Sequence, residues 1–98
     1  MTEAYFQRQC NEYLRKRNVQ FLHIEKGRGK NTTHRKGVPD LLVFPGDGRV
    51  FFIELKAPGG KLRPEQVEFF RDMRLRGYVC DVCYNFEHFV CIIERIRI

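Results

Sequence analysis

The chain has 98 residues, 43% of them apolar, which suits one small folded domain and excludes a disordered segment. No apolar run approaches the roughly 20 residues that span a bilayer, and the N-terminus lacks the basic start and apolar stretch of a signal peptide. We therefore expect a cytoplasmic protein without a membrane partner. Lysine and arginine number 18 against 12 acidic residues, and the net charge of +6 favours polyanionic partners, nucleic acid first.

The first predicted element is a helix over residues 2–17, with Thr2 as its N-cap. Its apolar residues recur on one stripe, at Phe6, Cys10, Tyr13 and Leu14. Glu3 lies one turn before this stripe and points towards the same side. Two interpretations of Glu3 stay open at this point: an acid that reaches a functional site, or a first-turn acid that suits the helix dipole.

A predicted strand over residues 19–24 is followed by a loop over residues 25–37 that contains no apolar residue. The loop carries five basic side chains that we predict to bind nucleic acid: Lys26, Arg28, Lys30, Arg35 and Lys36. The alternative is an ordinary solvated loop, which is what most runs of charge are. The loop leads directly into Asp40, a candidate site residue, and this adjacency favours a loop that binds phosphates of the nucleic acid beside the site.

A β-hairpin is predicted over residues 38–56, because two apolar runs flank a glycine-rich turn. If the turn is centred on its aspartate, Leu42 faces Phe52 and Asp40 faces Glu54. Directly opposed residues have Cβ atoms about 4.5–5.5 Å apart, so the two carboxylates repel each other unless a cation lies between them. A hard divalent ion such as Mg²⁺, which takes oxygen ligands, suits this pair.

Lys56 completes the candidate site, because residues two apart on a strand project from the same face. Glu54 and Lys56 lie in an otherwise apolar run, where burying an acid and a base is costly unless they pair or hold a metal. An exposed salt bridge between the two is the alternative interpretation. The opposed Asp40 favours a cation-binding site that cuts phosphate esters.

A second helix is predicted over residues 64–76. Pro64 suits its first turn, and Gly77 stops it. The expected apolar stripe of this helix consists of Val67, Phe70 and Met73.

Residues 78–84 are predicted to form a strand, and Asn85 suits the N-cap of a final element over residues 86–91. That element is either a short helix or a return to strand. Residues 94–98 alternate between polar and apolar, so helix and strand both stay open there. The order of elements predicts an α/β fold, with one small domain over residues 1–98 and a central mixed sheet flanked by helices.

Four cysteines are present, at Cys10, Cys80, Cys83 and Cys91. The spacing of Cys80 and Cys83 occurs in zinc sites and in redox motifs. Both residues fall on one predicted strand, where positions three apart face opposite ways, and no second pair has a matching spacing. We therefore expect buried, inert thiols in a reducing cytoplasm and no zinc.

Several segments, in order, resemble the VRR-NUC family of the PD-(D/E)xK nuclease superfamily. Asp40 followed by Glu54-Leu55-Lys56 matches the superfamily motif, and Gly37-Val38-Pro39-Asp40 supplies its opening. The family pattern also includes Glu3 in the first helix and residues 52–58, 62–66 and 77–79. The resemblance covers nearly the whole chain and looks like the minimal stand-alone form of phages and bacteria. It implies a restriction-endonuclease-like core for the mixed sheet.

The resemblance also implies a role for each matching residue. Lys56 would orient or activate the attacking water, and Gln66 would position Lys56 or the scissile phosphate. One or two ions of Mg²⁺ or Mn²⁺ would be bound; the number stays open. The implied metal ligands are Asp40, Glu54, the Leu55 backbone carbonyl and Glu3, the last directly or through a water.

These observations together predict a Mg²⁺-dependent endodeoxyribonuclease that hydrolyses phosphodiester bonds and has no small-molecule cofactor. The family implies branched DNA, such as Holliday junctions, as its substrate. Lys61 and Arg63 join the basic loop as expected DNA contacts. We expect a homodimer, because a short chain has a limited core and aromatic residues make up 13% of this one. The alternative is a catalytically inactive nucleic-acid-binding module, against which the intact Asp40, Glu54 and Lys56 set argues.

Overall fold

The computed structural model describes residues 2–24 and 36–96. Within these ranges the chain forms three helices and four strands. In chain order they are α1 (Glu3–Lys16), β1 (Gln20–His23), β2 (Leu41–Phe44), β3 (Phe51–Leu55), α2 (Pro64–Leu75), β4 (Val79–Cys83) and α3 (Phe86–Ile96). None of the described helices has the length and apolar character needed to cross a membrane.

The four strands form one mixed sheet in the order β1-β2-β3-β4. The first two pairings are antiparallel, while β3 and β4 are parallel because α2 carries the chain back across the sheet. In the β2–β3 hairpin Leu42 lies opposite Phe52, which is the register predicted from a turn centred on the aspartate. Continuing that register by two positions brings Asp40 opposite Glu54, at the end of the sheet where β3 stops.

Helices cover both faces of the sheet, which confirms the predicted α/β architecture. On the face that we call the α1/α3 side, Phe6 and Phe89 pack with strand residues such as Ile53. On the opposite face, the α2 side, Phe70 packs with Cys80 and with the half-buried Phe52. Because side chains alternate along β3, Glu54 belongs to the same face as Phe52. The candidate site therefore lies on the α2 side, just beyond the apolar residues.

The first helix agrees closely with its prediction. The Tyr5 backbone N–H donates to Thr2 Oγ1 at 3.1 Å, so Thr2 is the N-cap. The predicted stripe is buried at Phe6, Cys10 and Leu14. Tyr13 is half-buried and donates from its hydroxyl to Glu94 of α3, which ties the two helices of the α1/α3 side together.

In the second helix the prediction that Val67 is a core residue is wrong. Val67 is 51% exposed, and the buried stripe contains Gln66, Phe69 and Phe70 instead. These positions recur at i, i+3 and i+4 from Gln66, so the polar residue belongs to the inward face and displaces Val67 from it. The end of the helix is as predicted, since Gly77 follows with a φ of +97°, a left-handed value that glycine adopts without strain.

The C-terminal segment forms one continuous helix, which settles the alternatives left open by the sequence. Asn85 Oδ1 accepts from the His88 backbone N–H at 2.8 Å, as expected of an N-cap. Phe89, Ile92 and Ile93 are buried at helical spacing against the sheet. The helix continues through residue 96 despite the alternation that begins at residue 94, and residues 97–98 lie outside the described part of the chain.

Three of the four cysteines, Cys10, Cys80 and Cys83, are buried as expected. Cys80 belongs to the α2 side and Cys83 to the α1/α3 side, as expected for two residues three apart on a strand. Burial raises the pKa of Cys83 to about 12 and also raises the pKa of Cys10. The expectation fails for Cys91, which is exposed because it lies on the outer surface of α3.

Candidate active site

An open cleft of about 680 Å³ lies at the end of the sheet where β3 stops. Strands form its floor, α1 forms one wall, and the segment leading into α2 forms the other. The lining residues are Glu3, Ala4 and Gln7 from α1, Asp40, Glu54 and Lys56 from the sheet, and Lys61, Arg63 and Gln66 beside α2. The cleft therefore brings together all five side chains that the sequence nominates for catalysis, although they are spread from residue 3 to residue 66.

Asp40 and Glu54 are held by hydrogen bonds that cross the hairpin in both directions. The Leu55 backbone N–H donates to Asp40 Oδ2 at 2.8 Å, and the Asp40 backbone N–H donates to Glu54 Oε1 at 3.1 Å. Each carboxylate thus accepts a hydrogen bond from the strand segment that carries the other. This reciprocal arrangement fixes two acids side by side at the end of the hairpin, as the predicted register requires.

Glu54 is the most deeply buried charged residue described, with 2% of its surface exposed. Its carboxylate accepts from Gln66 Nε2 at 2.6 Å and lies 3.5 Å from Lys56 Nζ. A buried carboxylate is tolerated only where partners of this kind replace its lost hydration. The pair of Glu54 and Lys56 therefore belongs to the floor of the cleft and is not the exposed salt bridge of the alternative interpretation.

Gln66 links the second helix to the carboxylate pair. Its side chain is nearly fully buried, and its Oε1 accepts from the Arg63 backbone N–H at 2.8 Å while its Nε2 donates to Glu54. The first contact follows from local sequence, because Gln is a usual third helical residue that caps the helix start. The sequence expectation placed Gln66 next to Lys56 or the phosphate; in the structure its partner is Glu54.

Gly37 contributes to the shape of the site, although the sequence analysis treated it only as part of a motif. Its φ is +89°, and a Cβ at this position would lie 2.1 Å from the Glu65 backbone oxygen. Only a residue without a side chain allows this contact between the segment before Asp40 and the first turn of α2. The signal was present in the sequence, since a glycine directly before a functional turn often marks a close backbone approach.

Glu3 enters the cleft from α1, which agrees with its predicted position. Within residues 2–24 and 36–96, however, no three His, Cys, Asp or Glu side chains come close enough together to hold one metal ion. A metal site built on Asp40 and Glu54 would therefore need other oxygen ligands to complete it.

Gln7 and His23 form a further pair beside the cleft that the sequence analysis missed. Gln7 lies one helical turn after Glu3 and lines the same wall. The Gln7 amide nitrogen contacts the ring of His23, 2.7 Å from Nδ1, at the end of β1. This contact fastens the wall to the sheet, and only the spacing of Glu3 and Gln7 could have indicated it.

The basic candidates fall into two groups. Lys61 and Arg63 line the wall opposite α1, and Lys36 is exposed close to the first turn of α2. Arg63 also lies 3.6 Å from Glu65 in a mostly exposed ion pair. The remaining predicted DNA contacts, Lys26, Arg28, Lys30 and Arg35, lie outside the described residues.

Comparison with known proteins identifies the family. The model of the VRR-NUC domain matches residues 3–87, and the chain therefore belongs to the VRR-NUC family. A solved structure described as "VRR_NUC domain" is similar to this chain, with a TM-score of 0.77 and 26% sequence identity over 94% of both chains. Both findings confirm the resemblance and the fold inferred from the residues.

A curated relative comes from a phage. "Putative nuclease p44" of Acyrthosiphon pisum secondary endosymbiont phage 1 is 52% identical to this chain over 33 residues. Those residues make up 34% of this chain and 36% of the phage protein, so the match spans about a third of that relative's length.

Proposed function

We propose that this protein is a metal-dependent DNA endonuclease that hydrolyses phosphodiester bonds. One observation carries the proposal: reciprocal hydrogen bonds hold Asp40 and Glu54 side by side at the ends of adjacent strands, next to Lys56, in a cleft with a basic wall. Membership of the VRR-NUC family and the similarity to a phage protein named as a nuclease support it.

The donor set fits Mg²⁺ or Mn²⁺. The two adjacent carboxylates supply anionic oxygen, which hard divalent ions prefer, and none of the described residues that line the cleft is a cysteine or a histidine. The Leu55 backbone carbonyl lies between Glu54 and Lys56 in the chain and would add a neutral oxygen, with Glu3 acting through a water. When bound, one or two ions would lower the pKa of a water and polarise a phosphoryl oxygen.

The chain's own side chains orient the reactants. Gln66 holds one Glu54 oxygen through a 2.6 Å hydrogen bond, which fixes the direction of the other. Lys56 Nζ, 3.5 Å from Glu54, would orient the attacking water and offset the charge that develops on the phosphate. Its side chain is 16% exposed, so the ammonium can reach the cleft while most of its stem stays buried.

The wall formed by Lys61 and Arg63 would bind the DNA backbone. The basic side chains of this wall would attract the phosphate, and the carboxylates on the floor of the cleft would bind the cation. A bound phosphate would therefore lie between the wall and the floor. Branched DNA, such as a Holliday junction, is our proposed substrate class, on the basis of the family resemblance and the net charge of +6.

We further propose that the protein acts as a homodimer, so that two sites meet the two strands of a junction. Several large apolar side chains are exposed and available for an interface, including Leu22 at 57% and Leu75 at 80%. A two-fold dimer is the commonest assembly of small proteins. The first helix and the C-terminal segment are both candidates for the dimer interface.

The proposed function is tested by incubating the protein with supercoiled plasmid and with a labelled four-way junction, with Mg²⁺, Mn²⁺ or excess chelator. We expect cleavage with either ion, faster on the junction, and none with chelator. DNA binding without cleavage under all these conditions would favour an inactive binding module. Cleavage in excess chelator would contradict the metal-dependent mechanism, and equal rates on linear duplex would remove the branch preference.

A further inference from the structure

Tyr84 lies at the end of the sheet that carries the cleft. Strands β3 and β4 are parallel with Leu55 opposite Cys83, and the Lys56 backbone N–H donates to the Cys83 oxygen at 2.9 Å. The residues that follow this pair, Lys56 and Tyr84, are therefore neighbours across the sheet, at the spacing of about 5 Å between adjacent strands. An aromatic residue thus lies directly beside the lysine of the proposed site.

Tyr84 follows β4 directly and pairs with Lys56, because the hydrogen bond from the Lys56 N–H to the Cys83 oxygen continues the parallel register by one residue, and Lys56 Nζ lies 3.5 Å from Glu54 on the face that bears the site. Cys80 and Val82 belong to the α2 side, while Cys83 belongs to the α1/α3 side. The next position on the α2 side is Tyr84.

The described lining of the cleft offers no aromatic surface for a nucleobase. The nine residues of this lining are polar or charged except Ala4. Such groups suit a phosphate and a metal ion. Tyr84 is 37% exposed beside Lys56 and directly follows β4, which is the outer strand of the described sheet. It therefore offers a ring where the backbone of a bound strand would leave the cleft.

We propose that Tyr84 stacks on a nucleobase adjacent to the scissile phosphate, an inference that rests on the nuclease function proposed above. The ring can stack only on a base with an exposed face, because a base inside a continuous duplex has both faces covered by its neighbours. Tyr84 thereby selects DNA with unstacked bases at the cut, as at a branch point. The residue acts on substrate choice and leaves the hydrolytic chemistry to Asp40, Glu54 and Lys56.

The variants Tyr84→Ala and Tyr84→Phe test this contact, with Tyr5→Ala as the matched control. Tyr5 is similarly exposed, at 49%, but it lies about 100° round α1 from cleft-lining Ala4 and about 160° from Gln7, so its ring points away. On a branched substrate with intact bases we expect Tyr84→Ala to lose about tenfold in kcat/KM, the effect of one base–aromatic stack. Tyr84→Phe and Tyr5→Ala should match the wild type.

A second set of substrates localises the stack. A single abasic site is moved through the positions that flank the cut, and the wild type should lose about tenfold at one of them. Tyr84→Ala should be indifferent to that same abasic site, since the two changes remove one interaction. If Tyr84→Ala cleaves the intact substrate as fast as an active wild type, the stack is refuted while the nuclease function stands.

A binding measurement separates this inference from the nuclease function. With 2-aminopurine at the position identified, or at each flanking position in turn, binding in Ca²⁺ should quench its fluorescence in the wild type and in Tyr84→Phe, and not in Tyr84→Ala. If the wild type cuts no DNA, the nuclease proposal fails, and the quenching decides the Tyr84 contact by itself. Equal quenching by all three proteins overturns the stacking role.

Discussion

Replacing Gly37 by alanine should damage both the stability and the site of this protein. The new Cβ would lie 2.1 Å from the Glu65 backbone oxygen, so the segment that contains Gly37 and the first turn of α2 must separate by roughly 1 Å. Overpacking of this kind lowers the free energy of unfolding by about 1–3 kcal/mol. The left-handed φ of +89° adds about 1–2 kcal/mol for any residue with a Cβ. Since Asp40 follows three residues later and Gln66 belongs to the displaced turn, DNA cleavage should fall sharply even in folded protein.

Gly48→Ala is the matched control for this change. Gly48 has a φ of +84°, but a Cβ there would meet nothing within 4 Å. It should therefore carry only the backbone cost and keep full cleavage activity. In thermal unfolding followed by circular dichroism, 1 kcal/mol lowers Tm by about 4–8 °C in a domain of this size. Gly37→Ala should therefore melt at least ~4 °C below Gly48→Ala, and equal melting temperatures with equal activity would refute the close-approach argument.

Three further predictions concern the ions, the basic wall and the assembly. Mg²⁺ and Mn²⁺ should support cleavage, and Ca²⁺ should support binding with little turnover; stoichiometric zinc in elemental analysis would overturn the account of Cys80 and Cys83. Lys61→Ala and Arg63→Ala should each flatten the salt dependence of DNA binding by about one unit of slope, and unchanged slopes would remove these contacts. Sedimentation at micromolar concentration should show a dimer, which a strictly monomeric profile would contradict.

The hairpin shows how far the sequence alone reaches. The glycine-rich turn and the alternation of the two apolar runs predict that Leu42 faces Phe52, and the structure has this register. Both signals are local, and a slip by one residue would expose one whole apolar face, so few alternatives compete. The opposition of Asp40 and Glu54 follows from the same register and was therefore predictable without any tertiary information.

The partner of Gln66 depends on tertiary structure and was not predictable in this way. Helix periodicity leaves the direction of α2 over the sheet unspecified, and the apolar residues suggested a stripe that includes Val67. The close contact of Gly37 with Glu65 sets where α2 begins relative to the strands. Once the helix is docked there, Gln66 faces Glu54 and Val67 faces solvent. Local sequence patterns do not specify how α2 packs on the sheet, so they could not predict the partner of Gln66.

The central claim, that Asp40 and Glu54 form the centre of a metal-dependent nuclease, is tested most directly by isosteric replacement. Asp40→Asn retains an acceptor for the Leu55 N–H and removes only the charge, while Asp47→Asn makes the same change in the exposed hairpin turn. Both proteins are compared with the wild type in Mg²⁺-dependent cleavage of a four-way junction. We predict that Asp40→Asn abolishes cleavage while remaining folded and that Asp47→Asn cleaves normally. Full activity in a folded Asp40→Asn protein would contradict the account.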